Sequence, residues 1–463
     1  MLFSSMTFLW LFLPFTVIVN ALLNPRYSNV FLLIMSLLFY AWGEPVYVLL
    51  MLLSILLNWL AGLLIGKVKK GKGALIFTDV LLNLSMLGLF KYYDFAAGSL
   101  NFLFGREIMA VKNIALPIGI SFFTFQALSY VIDLYRGKCE VQKNPLNLAL
   151  YISFFPQLIA GPIVRYSDID RQILSRRMTT EGFAVGFRRF IYGLSKKVII
   201  SNCMAQIADK VFALSAGDLT FASAWIGALS YLMQIYYDFS GYSDMAIGLG
   251  KMFGFDFLEN FRYPYLSRSI REFWQRWHIS LGTWFREYVY IPLGGNRKGK
   301  VRQILNIFIV WALTGLWHGA SWNFVFWGVY FGILLMIEKL FLLKFLKKIP
   351  AVFTHIYTLF LVVISWIFFY FETTDGIFSF MGRLFSLSDG LLSQDAAATV
   401  VANLPLLLIA FVACTPLAKK VHHKLEGKPF MPVVDAIAGV ASLLLSVGAL
   451  VYDSYNPFLY FRF

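Results

Sequence analysis

Residues 271–300 read REFWQRWHISLGTWFREYVYIPLGGNRKGK, and residues 313–327, after a short apolar run, read LTGLWHGASWNFVFW. Two of the chain's five histidines, His278 and His318, stand in this stretch, each directly after a tryptophan. Between them lies a basic hinge, Gly294 to Lys300. The sequence around it is apolar enough to sit in a bilayer. There an ionisable side chain costs about 2.5–3.5 kcal/mol for Arg, Lys or Asp on insertion scales. Groups kept at that cost mark a site or a water-filled cavity, so this stretch decides both the fold class and where to look for chemistry.

Working outward, the 463-residue chain is 59% apolar and only 14% charged, against about 25% charged in an average soluble domain. Apolar runs of spanning length recur from end to end, and alternating strands are not visible. The reading is an all-α integral membrane protein, since helices satisfy the backbone in lipid. No loop is long enough to fold alone, so residues 1–463 read as a single membrane domain: N-terminal spans in 1–110, a core in 111–330, and C-terminal spans with an outward tail in 331–463. Met1 to Asn20 lacks a basic leader and a small-residue cleavage site and reads as a first span. The net charge of +15 follows from Lys and Arg kept in cytoplasmic loops, which argues against a nucleic-acid partner. Some of that charge also suits anionic lipid or a polyanionic donor. Cys139, Cys203 and Cys414 are scattered without metal spacing, and no metal site is expected.

Spans are expected near 7–23, 30–43, 45–65, 74–95, 114–134, 221–250, 303–317, 320–343, 351–371, 401–416 and 433–452. Lys67, Lys69, Lys70 and Lys72 mark a cytoplasmic loop and put the N-terminus outside. Residues 147–163, interrupted by Pro156 and by Gly161-Pro162, are expected to dip in and return. Residues 183–214 read as an amphipathic helix in the membrane plane. From 262 to 302 nine Lys/Arg face two acids, Glu272 and Glu287, a net +7 that belongs on the cytoplasmic side. The loop at 372–395, with Glu372, Asp375, Asp389 and Asp395 against Arg383, suits the outside. No internal repeat is seen, which weakens a transporter built from two halves.

Taken as one helix, residues 266–290 carry two stripes. Trp274, Trp277, Leu281, Trp284 and Tyr288 form an apolar one. Arg271, Gln275, His278, Gly282 and Arg286 form a polar one, with a glycine that leaves room for an approaching group and arginines suited to phosphate. The competing reading is an interfacial helix with solvated arginines and a structural His278. His318 lies sixteen residues beyond Arg302, so a helix carries it ~24 Å from the basic hinge. In an apolar pocket its imidazole stays neutral and can act as general base on a hydroxyl, a role worth roughly 10²–10⁴ in rate. The bland alternative is a core histidine bonded at a helix turn. Asp238 and Asp244, in YYDFSGYSDMAIGLG (236–250), are candidates to orient a histidine or to pair with an arginine of the basic segment. A buried ion pair or a helix cap is the other reading.

Five stretches together resemble the membrane-bound O-acyltransferase superfamily, nearest its alginate-type group: LPIGISFFTFQALSYVIDLYRG (116–137), FFPQLIAGPIVRY (154–166), residues 236–250, the block 271–297 and LTGLWHGASWNFVFWG (313–328). The resemblance implies about eleven transmembrane helices with re-entrant and interfacial helices around a central channel, in a bacterial inner membrane. It places the family's active-site histidine on His318 and its second characteristic histidine on His278. It implies acetyl-CoA as a cytoplasmic donor with no permanently bound cofactor, and an envelope polysaccharide as acceptor. Because little here could grip a long glycan, an extracytoplasmic SGNH-type acetyltransferase is the expected partner. D-alanyl or lipid acyl transfer by the same fold, or a transporter of a small anion, are the alternatives. The tail YNPFLYFRF (455–463) also resembles chain ends of this group, in which a tyrosine is proposed to carry the acyl group. That position is Tyr460, whose phenolate would leave more readily than an alkoxide. The plain alternative is an aromatic residue of the membrane interface.

Overall fold

The computed structural model describes the chain except residues 216, 217, 389, 454 and 460–463. Asp389 and Tyr460 therefore lie outside the described residues. Every regular element among the described residues is helical. Five helices are long and apolar enough to cross a membrane: Tyr47–Lys67, Lys72–Phe104, Ala351–Tyr370, Gln394–Ala413 and Met431–Tyr452. A shorter apolar helix covers Phe8–Leu22. Gln394–Ala413 and Met431–Tyr452 bury little of themselves (11% and 6%). Apolar surface of that extent is stable only against lipid or a partner. Helices expected at 221–250 and 303–317 do form, as Phe221–Met252 and Gly299–His318. They fall outside the length-and-hydropathy criterion, and they carry buried polar groups such as Gln234, Asp238 and Asn306.

The chain divides into two compact units. The first comprises Met1–Phe190 with Ser243–Leu258. Its Ile120–Tyr135 helix is nearly all buried. The apolar run expected from 114 begins as helix only at Ile120, because the preceding backbone is claimed elsewhere. The Asp94 carboxylate accepts the N–H groups of Lys112 and Ile114, each at 2.7 Å. The interrupted stretch 147–163 forms helices Pro145–Ser153 and Phe155–Leu158, with Pro156 in the first turn of the second. All of it is buried in protein, the condition under which irregular backbone is tolerated at membrane depth.

The second unit comprises Ile191–Tyr242 with Glu259–Phe463. Its core is aromatic: Trp277, Trp327, Trp366, Phe273 and Phe331 pack edge-on and offset. The Gly299–His318 and Trp322–Ile337 helices meet backbone to backbone. A Cβ on Gly315 would lie 2.2 Å from the Phe324 carbonyl oxygen, and one on Gly328 would lie 2.3 Å from that of Trp311. That contact fixes the end of the first helix, where His318 is the last residue.

The continuous helix expected over 266–290 is not there. A single 3-10 turn at Pro264–Leu266 is followed by helix Ile270–Arg276, a break, helix Ile279–Phe285 and a π-turn at Arg286–Tyr290. The break is made by His278, whose φ of +44° is left-handed, a conformation that costs a non-glycine residue of order 1–2 kcal/mol. The helix before the break is capped at its start. Ser269 accepts the Glu272 N–H at 3.1 Å. The fully buried Glu338 accepts the N–H groups of Ile270 (2.7 Å) and Arg271 (2.9 Å), placing a carboxylate at a helix N-terminus.

Candidate active site

Two cavities in the second unit run along one face of the Gly299–His318 helix. The larger, about 1110 Å³, is lined by Gln303, Ile307, Val310, Trp311 and Thr314 of that helix. These positions recur three or four apart, so they share a face. One further turn along the same face lie Trp317 and His318. All five residues of the polar stripe — Arg271, Gln275, His278, Gly282 and Arg286 — line this cavity, although they belong to two helices and not one. The basic hinge adds Arg297 and Lys298, and Lys339 comes from the end of the next helix. The wall thus holds five cations and no acid. Gly282 gives the room expected of it: a Cβ there would meet nothing nearer than the Trp274 carbonyl oxygen at 3.9 Å.

The smaller cavity, about 20 Å³, is lined by Asp238, Phe239, Trp277, His318, Trp366, Phe369, Phe458 and others. It has room for roughly one water. His318 is buried, with the rings of Trp327 (5.0 Å) and Phe369 (5.2 Å) set edge-on around it. The two histidines therefore line different cavities. Phe239 and Trp317 stand between them: the His278 ring meets Phe239 at 4.6 Å and Trp317 at 5.9 Å, and Trp317 in turn meets His318 at 5.0 Å.

His278 is almost wholly buried. Burial pushes its imidazole down to about 3, so the ring is neutral near pH 7. Its Nδ1 faces the Asn260 side-chain oxygen at 3.2 Å, and its Nε2 has no partner among the described residues.

The two aspartates have partners other than those expected from the sequence. Asp238 meets Lys197 Nζ at 2.6 Å, both buried, and its other oxygen accepts the Leu459 N–H at 2.9 Å. Neither a histidine nor an arginine of the basic segment makes that contact. It still shares the small cavity with His318. Asp244 is held by Arg189, through Nε at 3.0 Å and Nη2 at 2.8 Å. In both cases a cation of the 183–214 segment takes the carboxylate, so that segment is anchored inside protein by Lys197 and not merely laid on a membrane. His422 and His423 pair with Asp435 and Glu426 at 2.9 and 2.6 Å in partly exposed positions. Tyr460 lies outside the described residues, but the residues just before it are described. Lys197 Nζ donates to the Pro457 carbonyl, Phe458 stacks on Tyr242 at 4.8 Å, and Phe458 and Leu459 line the His318 cavity.

Sequence reading missed Asn260, Glu338, Lys197 and Thr314. A signal existed for Glu338, an acid inside the apolar run 322–346, and for Lys197, beside an apolar helix face. Asn260 and Thr314 carry none, because an uncharged polar residue is common in such runs.

Apolar helices of spanning length, with two buried histidines and a cationic cavity in the second unit, suit acyl transfer at a membrane. Residues 141–374 match the membrane-bound O-acyltransferase family, and the chain belongs to it. It is an O-acyltransferase. It is 40% identical to a probable alginate O-acetylase of Pseudomonas putida across the full length of both chains. It is 35% identical to a peptidoglycan O-acetyltransferase of Helicobacter pylori over 80% of this chain and 77% of that one. A teichoic acid D-alanyltransferase of Bacillus subtilis is 29% identical over half of this chain.

Proposed function

We propose that this protein O-acetylates an extracytoplasmic polysaccharide, drawing the acetyl group from cytoplasmic acetyl-CoA. The observation that carries the donor is the large cavity: five cations, no acid, and His278 in its wall. A thioester bearing several phosphates suits that wall, through forked bonds from Arg271, Arg286 and Arg297. The full-length likeness to an alginate O-acetylase supports the acetyl group and the polysaccharide.

In this reading His318 takes the proton of an acceptor hydroxyl. The oxygen attacks the thioester carbonyl, the carbon–sulfur bond breaks, and the departing thiolate collects a proton. The rings around His318 exclude water, which would otherwise compete as acceptor. His278, one aromatic layer away on the donor side, positions the thioester or passes the proton. Some eleven crossings of a bacterial inner membrane bring donor and acceptor sides to this point, and a secreted SGNH-type transferase completes delivery to the glycan. Tyr460, directly after the docked residues 455–459, is the candidate acyl carrier.

The test is His318→Ala, with glycan acetylation measured by mass spectrometry and folding checked by size-exclusion in detergent. Loss of acetylation in a folded protein is the expected result; retained acetylation overturns the role.

A further inference from the structure

Asn260 occupies a position that its surroundings over-determine. It is fully buried. Its backbone carbonyl accepts the Ile279 N–H at 3.0 Å. Its side-chain oxygen accepts the Ser280 N–H at 3.1 Å and the Ser280 hydroxyl at 2.9 Å. Asn260 thereby caps the Ile279–Phe285 helix from outside it, where the residue at the helix start, His278, makes no side-chain cap.

That cap has a chemical consequence. A backbone N–H only donates, so the amide atom facing Ser280 must be the oxygen and not the NH2 group. The same oxygen faces His278 Nδ1 at 3.2 Å. An oxygen there accepts, so Nδ1 carries the hydrogen. The lone pair of the neutral ring is then on Nε2, the nitrogen without a partner among the described residues. We infer that Asn260 is a positioning residue that locks His278 in the Nδ1–H tautomer and so leaves the buried Nε2 as the hydrogen-bond and proton acceptor of the ring. The inference rests on the reading of His278 as part of the acyl-transfer site.

The groups facing His278 fit this assignment. Phe239 and Trp317 offer rings without charge. The charged side chains on the same cavity wall are Arg271, Arg286, Arg297, Lys298 and Lys339. All of them disfavour an imidazolium, and among the described residues Asn260 alone bonds a ring nitrogen.

Asn260→Ala removes cap and lock together and risks the fold, so Asn260→Asp is the informative variant. It keeps an oxygen for Ser280 and adds a charge that favours imidazolium. An opposite charge at this range raises a pKa by about 1–3 units, so the acidic limb of kcat/KM should move up by at least one unit from near 3, with the loss confined to that limb and recovered by neutral pH. A purely capping Asn260 would leave the pH profile of Asn260→Asp like the wild type, and that result overturns the inference. Independently, ¹⁵N NMR of histidine-labelled protein in bilayers, with His278 assigned by difference from His278→Ala, should show Nδ1 protonated and Nε2 bare. Protonation at Nε2 overturns the inference whatever the kinetics. Undiminished acetylation in His278→Ala would instead strike the functional reading and leave the tautomer result standing.

Discussion

His278 sits where the chain is broken, at a left-handed residue between two seven-residue helices, on the wall of a wide cationic cavity. His318 sits at the end of an unbroken twenty-residue helix, against a cavity barely larger than a water and walled by aromatic rings. The first setting has room and charge but needs outside help to hold its imidazole, which Asn260 supplies. The second has little room and a single carboxylate, Asp238, already paired with Lys197, and is held by close helix packing at Gly315 and Gly328. In the function proposed above, the wide, positively charged vestibule would bind the donor and the narrow chamber would host the reaction. The pairing would then separate recognition of a bulky anionic donor from proton transfer at a hydroxyl, which water would spoil.

The largest effect should come from exchanging the two losses. His318→Ala should cost the full general-base contribution, roughly 10²–10⁴ in kcat, with the donor KM little changed. His278→Ala should cost less in kcat and should raise the donor KM. Steady-state kinetics on purified protein with acetyl-CoA distinguish them. If both variants lose kcat alone and equally, the two sites act as one and the division of labour fails.

The parts of this comparison that were legible in sequence differ in kind. His318 could be located, because a helix counted from Arg302 carries it to a definite depth. The five polar-stripe residues could be grouped, because three- and four-residue spacing survives a break that inserts no extra residues. The break itself was hidden: WQRWHISLG has no proline, and its only glycine, Gly282, lies past the turn at His278. What holds the break is hydrogen bonding from Asn260, 18 positions away in sequence, to His278, Ile279 and Ser280. Asp238 and Asp244 were legible as buried acids but not as partners of Lys197 and Arg189, since a carboxylate takes the nearest cation in space.

Next in size is Lys197→Met. It leaves the buried Asp238 carboxylate without its cation, and breaking one side of a buried pair costs about 3–5 kcal/mol. Because Lys197 also holds the Pro457 carbonyl, the thermal midpoint in detergent should fall and the C-terminal segment should become protease-sensitive first. Unchanged stability would mean that the small chamber is not held by this pair. On the donor side, Arg286→Ala should weaken acetyl-CoA binding by about 1.5–3 kcal/mol, the worth of a hydrogen bond to a charged group. The defect should also shrink with added salt in the wild type's favour. A salt-independent defect, or none, would take the phosphates away from this wall.

The smallest effect probes the vestibule's shape. Gly282 is in a helix with ordinary backbone angles, and an added Cβ meets nothing closer than 3.9 Å. Glycine there weakens the helix by roughly 0.5–1 kcal/mol relative to alanine, yet no packing requires it. The room it leaves in the cavity wall is the remaining reason for it. Gly282→Ala should therefore raise the thermal midpoint slightly with activity nearly intact. Gly282→Leu should fold as well but raise the donor KM, because its side chain enters the space beside His278, while leaving the His318 chamber untouched. If Gly282→Leu lowered kcat with the KM unmoved, the wide cavity would belong to the reacting centre and not to donor recognition, and the contrast between the two histidines would have to be redrawn.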